Sequence, residues 1–146
     1  EIALWHADPY LYVLWIDPIN GSIMYFGGAL AAPAQLASTG GNADRIATSG
    51  DYLFWTDSIG QTVTAFSMSI GQPAVIGFEQ SGVLAITADE TSVYWATDTN
   101  IVKASFDGVE QRTLAEGDIY ASDIAVSDTH VYWTSEETSS VRRVPK

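Results

Sequence analysis

The chain has 146 residues and a mass of 15.7 kDa, the size of one domain, and its 47% hydrophobic content supplies enough core to argue against disorder. Six Lys and Arg against eighteen Asp and Glu leave a net charge of -12, which repels phosphate backbones and anionic headgroups and argues against a nucleic-acid or membrane-surface partner. The absence of cysteine removes disulfides and thiolate metal sites, and the most apolar window, Ser22 to Ala37, is cut by two Gly and one Pro, so no membrane insertion is expected.

The opening residues, EIALWHAD, lack the basic start and apolar run of a secretory signal and read as a mature chain or an internal fragment. They begin a group of four predicted strands, IALWHA, YLYVLWI, SIMYFG and PAQLAS. Each is a short run rich in β-branched and aromatic residues, bounded by Gly, Asp, Asn or Pro. A second group follows, RIATS, YLFWTD, TVTAFSM and PAVIGF, and then a third, LAITAD, SVYWAT, IVKASF and QRTLAE. The last group is IAVSD, VYWTS and VRRVP, which makes fifteen strands with the fourth strand of the final group missing. No stretch carries a helical period.

The groups are repeats. Trp15, Trp55, Trp95 and Trp133 are separated by 40, 40 and 38 residues, each behind an apolar or aromatic pair, and are assigned a structural role. Upstream, Ile2-Ala3, Ile46-Ala47, Leu84-Ala85 and Ile124-Ala125 recur at spacings of 44, 38 and 40 residues. Four antiparallel strands per roughly 40 residues is the period of β-propeller blades. The expected fold is therefore an all-β propeller of about four blades, over residues 1-40, 41-80, 81-118 and 119-146, forming part of a larger closed ring. In NIVKASF, alternation puts Val102, Ala104 and Phe106 on one side and Ile101, Lys103 and Ser105 on the other. The small residues of IATS and IAVS suit an innermost strand, and each repeated Trp is expected to pack against the next blade with about 150-250 Å² of contact.

VYWATDTNIVKASFDGVEQRTL resembles the YWTD repeat of low-density-lipoprotein-receptor propellers, in which an aromatic-Trp-Thr-Asp turn precedes a strand and an Asp-Gly turn. The second group keeps Trp55-Thr56-Asp57, the fourth keeps Tyr132-Trp133-Thr134 with Ser135 in place of the acid, and the first keeps Trp15 and Asp17. Bacterial surface propellers of unknown function look at least as similar. The resemblance implies a six-bladed closed ring and an extracellular or cell-envelope setting. Since under four blades are present here, completion is expected from further blades of the same protein, or from a homo-oligomer or partner chain, with closure of this chain alone as a four-bladed ring the alternative.

No nucleophile elbow, phosphate loop or His-Glu-x-x-His motif occurs. His6 and His130 are the only imidazoles and lie in different repeats. The candidate ligand-binding residues are therefore the acids of the rim turns, Asp17, Asp57, Asp98 and Asp118, with Trp5 and Tyr120, aromatics that break the repeat. Glu79, Glu116, Glu136, Glu137 and Asp44 fall in the same turns. Aspartate in a turn ordinarily caps backbone N-H groups, which is the competing structural explanation. Converging acids suit Ca²⁺, but without an Asp-x-Asp-x-Asp-Gly loop no cofactor is predicted and Ca²⁺ stays only the ion such acids would take. The expected function is a non-catalytic recognition or scaffold module with a protein or carbohydrate ligand. The alternative is a Ca²⁺-dependent, lactonase-like hydrolase with acids around the central channel.

Overall fold

The computed structural model describes residues 1-78, 82-117, 119-135 and 137-146. Among these residues fifteen strands form four antiparallel sheets, each a simple meander. The first sheet contains β1 (Ile2–Ala7), β2 (Tyr10–Asp17), β3 (Ser22–Gly27) and β4 (Ala34–Ser38). The second contains β5 (Ala43–Ser49), β6 (Tyr52–Asp57), β7 (Thr62–Ser67) and β8 (Gln72–Gly77). The third contains β9 (Ala85–Ala88), β10 (Ser92–Ala96), β11 (Asn100–Ser105) and β12 (Gln111–Glu116). The fourth has three strands, β13 (Ala121–Val126), β14 (His130–Ser135) and β15 (Ser140–Pro145).

The first strands of successive sheets lie side by side, β1 against β5, β5 against β9 and β9 against β13, so they are the inner strands of a β-propeller arc. Ala47, Ala85 and Ala121 are buried there, where the sheets crowd together. Three hydrophobic cores separate the four sheets, and alternation along each strand supplies both of its walls. Val102 and Ala104 enter the core shared with the second sheet, with Phe106 packed against it. Ile101 enters the core shared with the fourth.

The repeated tryptophans pack in the direction opposite to the one expected. Trp55 clusters with Leu14 and Ile23 of the preceding sheet, Trp95 with Phe54 and Val63, and Trp133 with Tyr94 and Ile101. The indole follows the parity of its strand, and that side of each sheet faces backwards along the chain. Trp15 belongs to the first sheet and is only half-buried.

Turn chemistry locks neighbouring sheets together at selected points. Gly108 has φ +73°, and a Cβ there would lie 2.8 Å from the Ile76 Cβ, so the Asp107-Gly108 turn can press against β8 only as glycine. Asp107 Oδ1 caps the same turn, accepting the Val109 N-H at 3.0 Å.

Trp95 is fully buried and shares its core with both neighbouring walls. Trp95→Ala is expected to lower the unfolding free energy by about 3-5 kcal/mol. Ile59→Ala, at a 78% exposed turn position, should change it by less than about 0.5 kcal/mol. Urea midpoints of the two variants, compared at unchanged m-value, check the contrast.

Candidate functional site

The turns that join second to third strands meet the turns that join one sheet to the next, forming one rim. Ser58 N-H donates to Asp44 Oδ2 at 2.7 Å. The Asp98 carbonyl accepts from Ile119 and Tyr120 N-H at 3.0 and 3.2 Å. On this rim Asp17 and Asp57 are engaged within their own turns. Asp17 Oδ1 accepts from Ile19 and Asn20 N-H at 3.0 and 3.2 Å, and its Oδ2 accepts from Asn20 Nδ2 at 2.7 Å. The Asn20 side-chain hydrogen bond, then the backbone ones, hold the Asp17 carboxyl below its usual value. Asp57 Oδ1 accepts the Gly60 N-H at 2.6 Å. The Asp98 carboxylate lies against Gly82, whose φ of +62° and lack of a side chain make room for it. Asp118, with Glu79 and Glu136, lies outside the described residues.

The two non-repeating aromatics sit apart. Trp5 stacks on Tyr12 with ring centroids 4.9 Å apart and planes at 27°, and Tyr25 lies 5.8 Å from Tyr12. This aromatic group is packed between the first and second sheets, toward the rim opposite the acids. Tyr120 is 45% exposed on the acid-bearing rim and has φ +39°. Trp5 and Tyr120 therefore do not share one platform. At the inner strands Glu1 Oε2 lies 3.7 Å from Arg45 Nε. Burial pushes the Glu1 carboxyl up against the pull of Arg45. Among the described residues no three His, Asp or Glu side chains gather around a common point that would hold a metal.

Another concavity lies on the outer part of the third sheet, on the side that faces the fourth. A cavity of about 700 Å³ is lined by Thr91, Lys103, Ser105, Glu110, Gln111 and Arg112, a volume within the usual range of ligand sites. Lys103 and Arg112 are direct cross-strand partners on β11 and β12, so both project from the same side of the third sheet. Since the fourth sheet has three strands, that side of the outer third sheet is left uncovered and the outer edge of β15 is unpaired among the described residues.

A polar cluster beside this cavity anchors the same cleft. Asp89 Oδ1 accepts from Thr91 and Ser92 N-H, each at 2.9 Å. Its Oδ2 accepts from the Tyr94 hydroxyl at 2.8 Å and from Lys146 Nζ at 2.5 Å. Lys103 and Lys146 Nζ lie 5.7 and 5.9 Å from the Tyr94 ring centroid. Burial alone would raise the Asp89 carboxyl, but the Lys146 hydrogen bond, followed by those from Thr91, Tyr94 and Ser92, outweighs it and holds the group well below 3.8. Burial, followed by the hydrogen bond to Asp89, raises the Tyr94 phenol. The Asp89 hydrogen bond raises Lys146 above 10.5.

These cleft residues were not among the candidates chosen from sequence. One signal for them was present: five of the six cationic side chains, Lys103, Arg112, Arg142, Arg143 and Lys146, fall in the last two repeats of a strongly acidic chain. The pairing of Asp89 with Lys146 spans 57 residues and left no local pattern.

No protein-family model and no curated protein matches the sequence. Solved structures do match the fold. One, a nidogen/laminin complex, is 19% identical with a TM-score of 0.66 and covers 99% of this chain and 74% of that chain. The computationally designed Ika4 protein is 14% identical with a TM-score of 0.75, covering 99% of this chain and 91% of that chain. The computationally designed Ika8 protein is 13% identical with a TM-score of 0.75, covering 99% of this chain and 46% of that chain. At these identities the likeness establishes the β-propeller fold.

Asp89→Asn is expected to cost about 2-3 kcal/mol at neutral pH, because charge-assisted bonds to a partly buried carboxylate are lost. The pH signature is directional. Because folding depresses the Asp89 pKa, its stabilisation is complete above the ordinary value of 3.8 and is lost as pH falls through 3.8 towards the folded value. Lys146, raised by folding, contributes fully below 10.5 and loses its contribution as pH rises through its higher folded value. Urea unfolding across pH should therefore show a shallower acid decline in Asp89→Asn than in the parent chain.

Proposed function

We propose that this chain is a non-catalytic β-propeller recognition module that takes an extended, acidic segment of a partner protein into the cleft on the outer part of its third sheet, beside the three-stranded fourth. The observation that carries this reading is the placement of Lys103 and Arg112 together on one wall of the 700 Å³ cavity, in a chain whose net charge is -12. Elsewhere the acidic surface repels such a segment; here two cations face it. The edge of β15, unpaired among the described residues, adds a row of main-chain donors and acceptors to which an extended segment can add as a strand. A fold neighbour solved as a complex of two proteins supports the binding-module reading. The YWTD-type family, the extracellular or cell-envelope setting and completion of the arc by further blades, from the same protein or a partner chain, belong to this same proposal.

Fluorescence anisotropy with a labelled oligoglutamate peptide tests it. Binding is expected to weaken as NaCl rises from about 0.05 to 0.5 M. Lys103→Glu with Arg112→Glu should weaken it at least about tenfold, the equivalent of 1.4 kcal/mol. Equal binding of oligolysine, or no effect of the double reversal, would overturn the reading.

A further inference from the structure

The three internal sheet-to-sheet contacts share one construction, and its two halves are left open at opposite ends of the arc. In the first contact Trp55 packs with Ala3, Leu14, Ile16 and Ile23. Ala3 pairs with Leu14, and Ile16 with Ile23, so these four make one patch on the first sheet. In the second contact Trp95 meets the same positions of the second sheet, Ala47, Phe54 and Val63. In the third, Trp133 meets Tyr94, Ala96 and Ile101. Each contact is therefore a tryptophan face set on the opposite face of the sheet before it.

On the fourth sheet the corresponding positions are Ala125, Tyr132, Thr134 and Val141, paired in the same register. They line a hollow of about 160 Å³, and Val141 is 71% exposed. On the first sheet the tryptophan face is bare in its turn. Ile2, Val13 and Phe26 are 69%, 37% and 43% exposed, while their counterparts Ile46, Leu53 and Phe66 in the second sheet are 4%, 0% and 6% exposed. Leu4, on the same bare face, is 59% exposed. Trp15 lies among them, opposite Ile2 in the ladder. One end of the chain thus presents the knob and the other the hollow of a contact the molecule already makes three times.

We propose that a second copy of this chain covers both ends. Trp15 of each copy enters the hollow formed by Ala125, Tyr132, Thr134 and Val141 of the other, and the two equivalent head-to-tail contacts close a two-fold ring. The faces are complementary to each other but not to themselves, so the contact is heterologous and must close or polymerise. The arc superposes with a TM-score of 0.75 on 46% of a longer chain of the same fold, so that chain has room for one further arc of this size. The proposal rests on the reading of this chain as an incomplete ring. It is separate from the acidic-segment cleft, whose cavity is lined by the third sheet and its turns.

Native mass spectrometry and light scattering of the 146-residue chain test it. The expected particle has twice the 15.7 kDa mass of one chain. Leu4→Glu and Val141→Glu alter exposed positions on the two different faces. Each should convert the particle to single chains with unchanged circular dichroism, and Leu4→Glu should also leave oligoglutamate binding unchanged, while Ile59→Glu stays paired. If one variant fails to fold, the other decides. A single-chain parent particle or an open-ended ladder would overturn the proposal. So would a Val141→Glu particle that stays paired, because that result would require two tryptophan faces to meet each other.

Discussion

The arc depends on the contact between a tryptophan at the end of one sheet's second strand and the apolar wall of the sheet before it. Each such contact buries a large aromatic surface at little cost in side-chain freedom, because an indole has only two torsions to fix. Its consequence is directional. A sheet built this way has two different apolar faces and needs a neighbour on each side, so the unit of stability is the pair of sheets. Repeat proteins share this property, since an isolated repeat cannot bury its own hydrophobic face.

Direction also decides what each repeat contributes beyond packing. At the corresponding position of the opposite face, the first and second sheets carry Leu14 and Phe54, while the third carries Tyr94. The phenol keeps the large ring in the core and extends a hydroxyl to the rim, where Asp89 accepts it. That hydroxyl needs a buried or partly buried acceptor, and the acceptor in turn needs a cation, which Lys146 supplies. In the third sheet this tyrosine thus joins a three-residue polar network at the mouth of the cleft. The network sits beside the place where Lys103 and Arg112 are left uncovered by a three-stranded neighbour.

Most of the fold was legible in the sequence because its determinants are local. Strand and turn chemistry placed all fifteen strands, and the recurring Trp and Ile-Ala markers grouped them into four sheets. What was not legible needed information from two sheets at once. Whether Trp55 faces forwards or backwards depends on the handedness with which sheets are stacked, and no period in the sequence records that. The β-bulges at Ile23/Met24 and Ala121/Asp123 arise where one strand must bend over its neighbour, and no turn residue announces them. The acids were found correctly as turn residues and then given a second role. Asp17 and Asp57 spend their oxygens on nearby N-H groups because a two- or three-residue separation brings those donors within reach without any ligand.

The same locality explains why the repeat itself carries little about binding. A residue that recurs in every blade is constrained by a contact that recurs in every blade, and its chemistry is already consumed there. Specificity falls to positions where equivalent sites differ, and the differences here are concentrated in the last two sheets: a tyrosine where leucine and phenylalanine stand elsewhere, cations on an otherwise acidic chain, and three strands in place of four. These departures share one region, the cleft wall of the third sheet and the edge of the fourth. An arc that must still join other sheets at its two ends keeps this cleft clear of those joints, because the joining faces belong to the first sheet and to the far side of the fourth. Assembly and recognition can therefore be altered by different residues, and that separation is what a scaffold built from repeated blades permits.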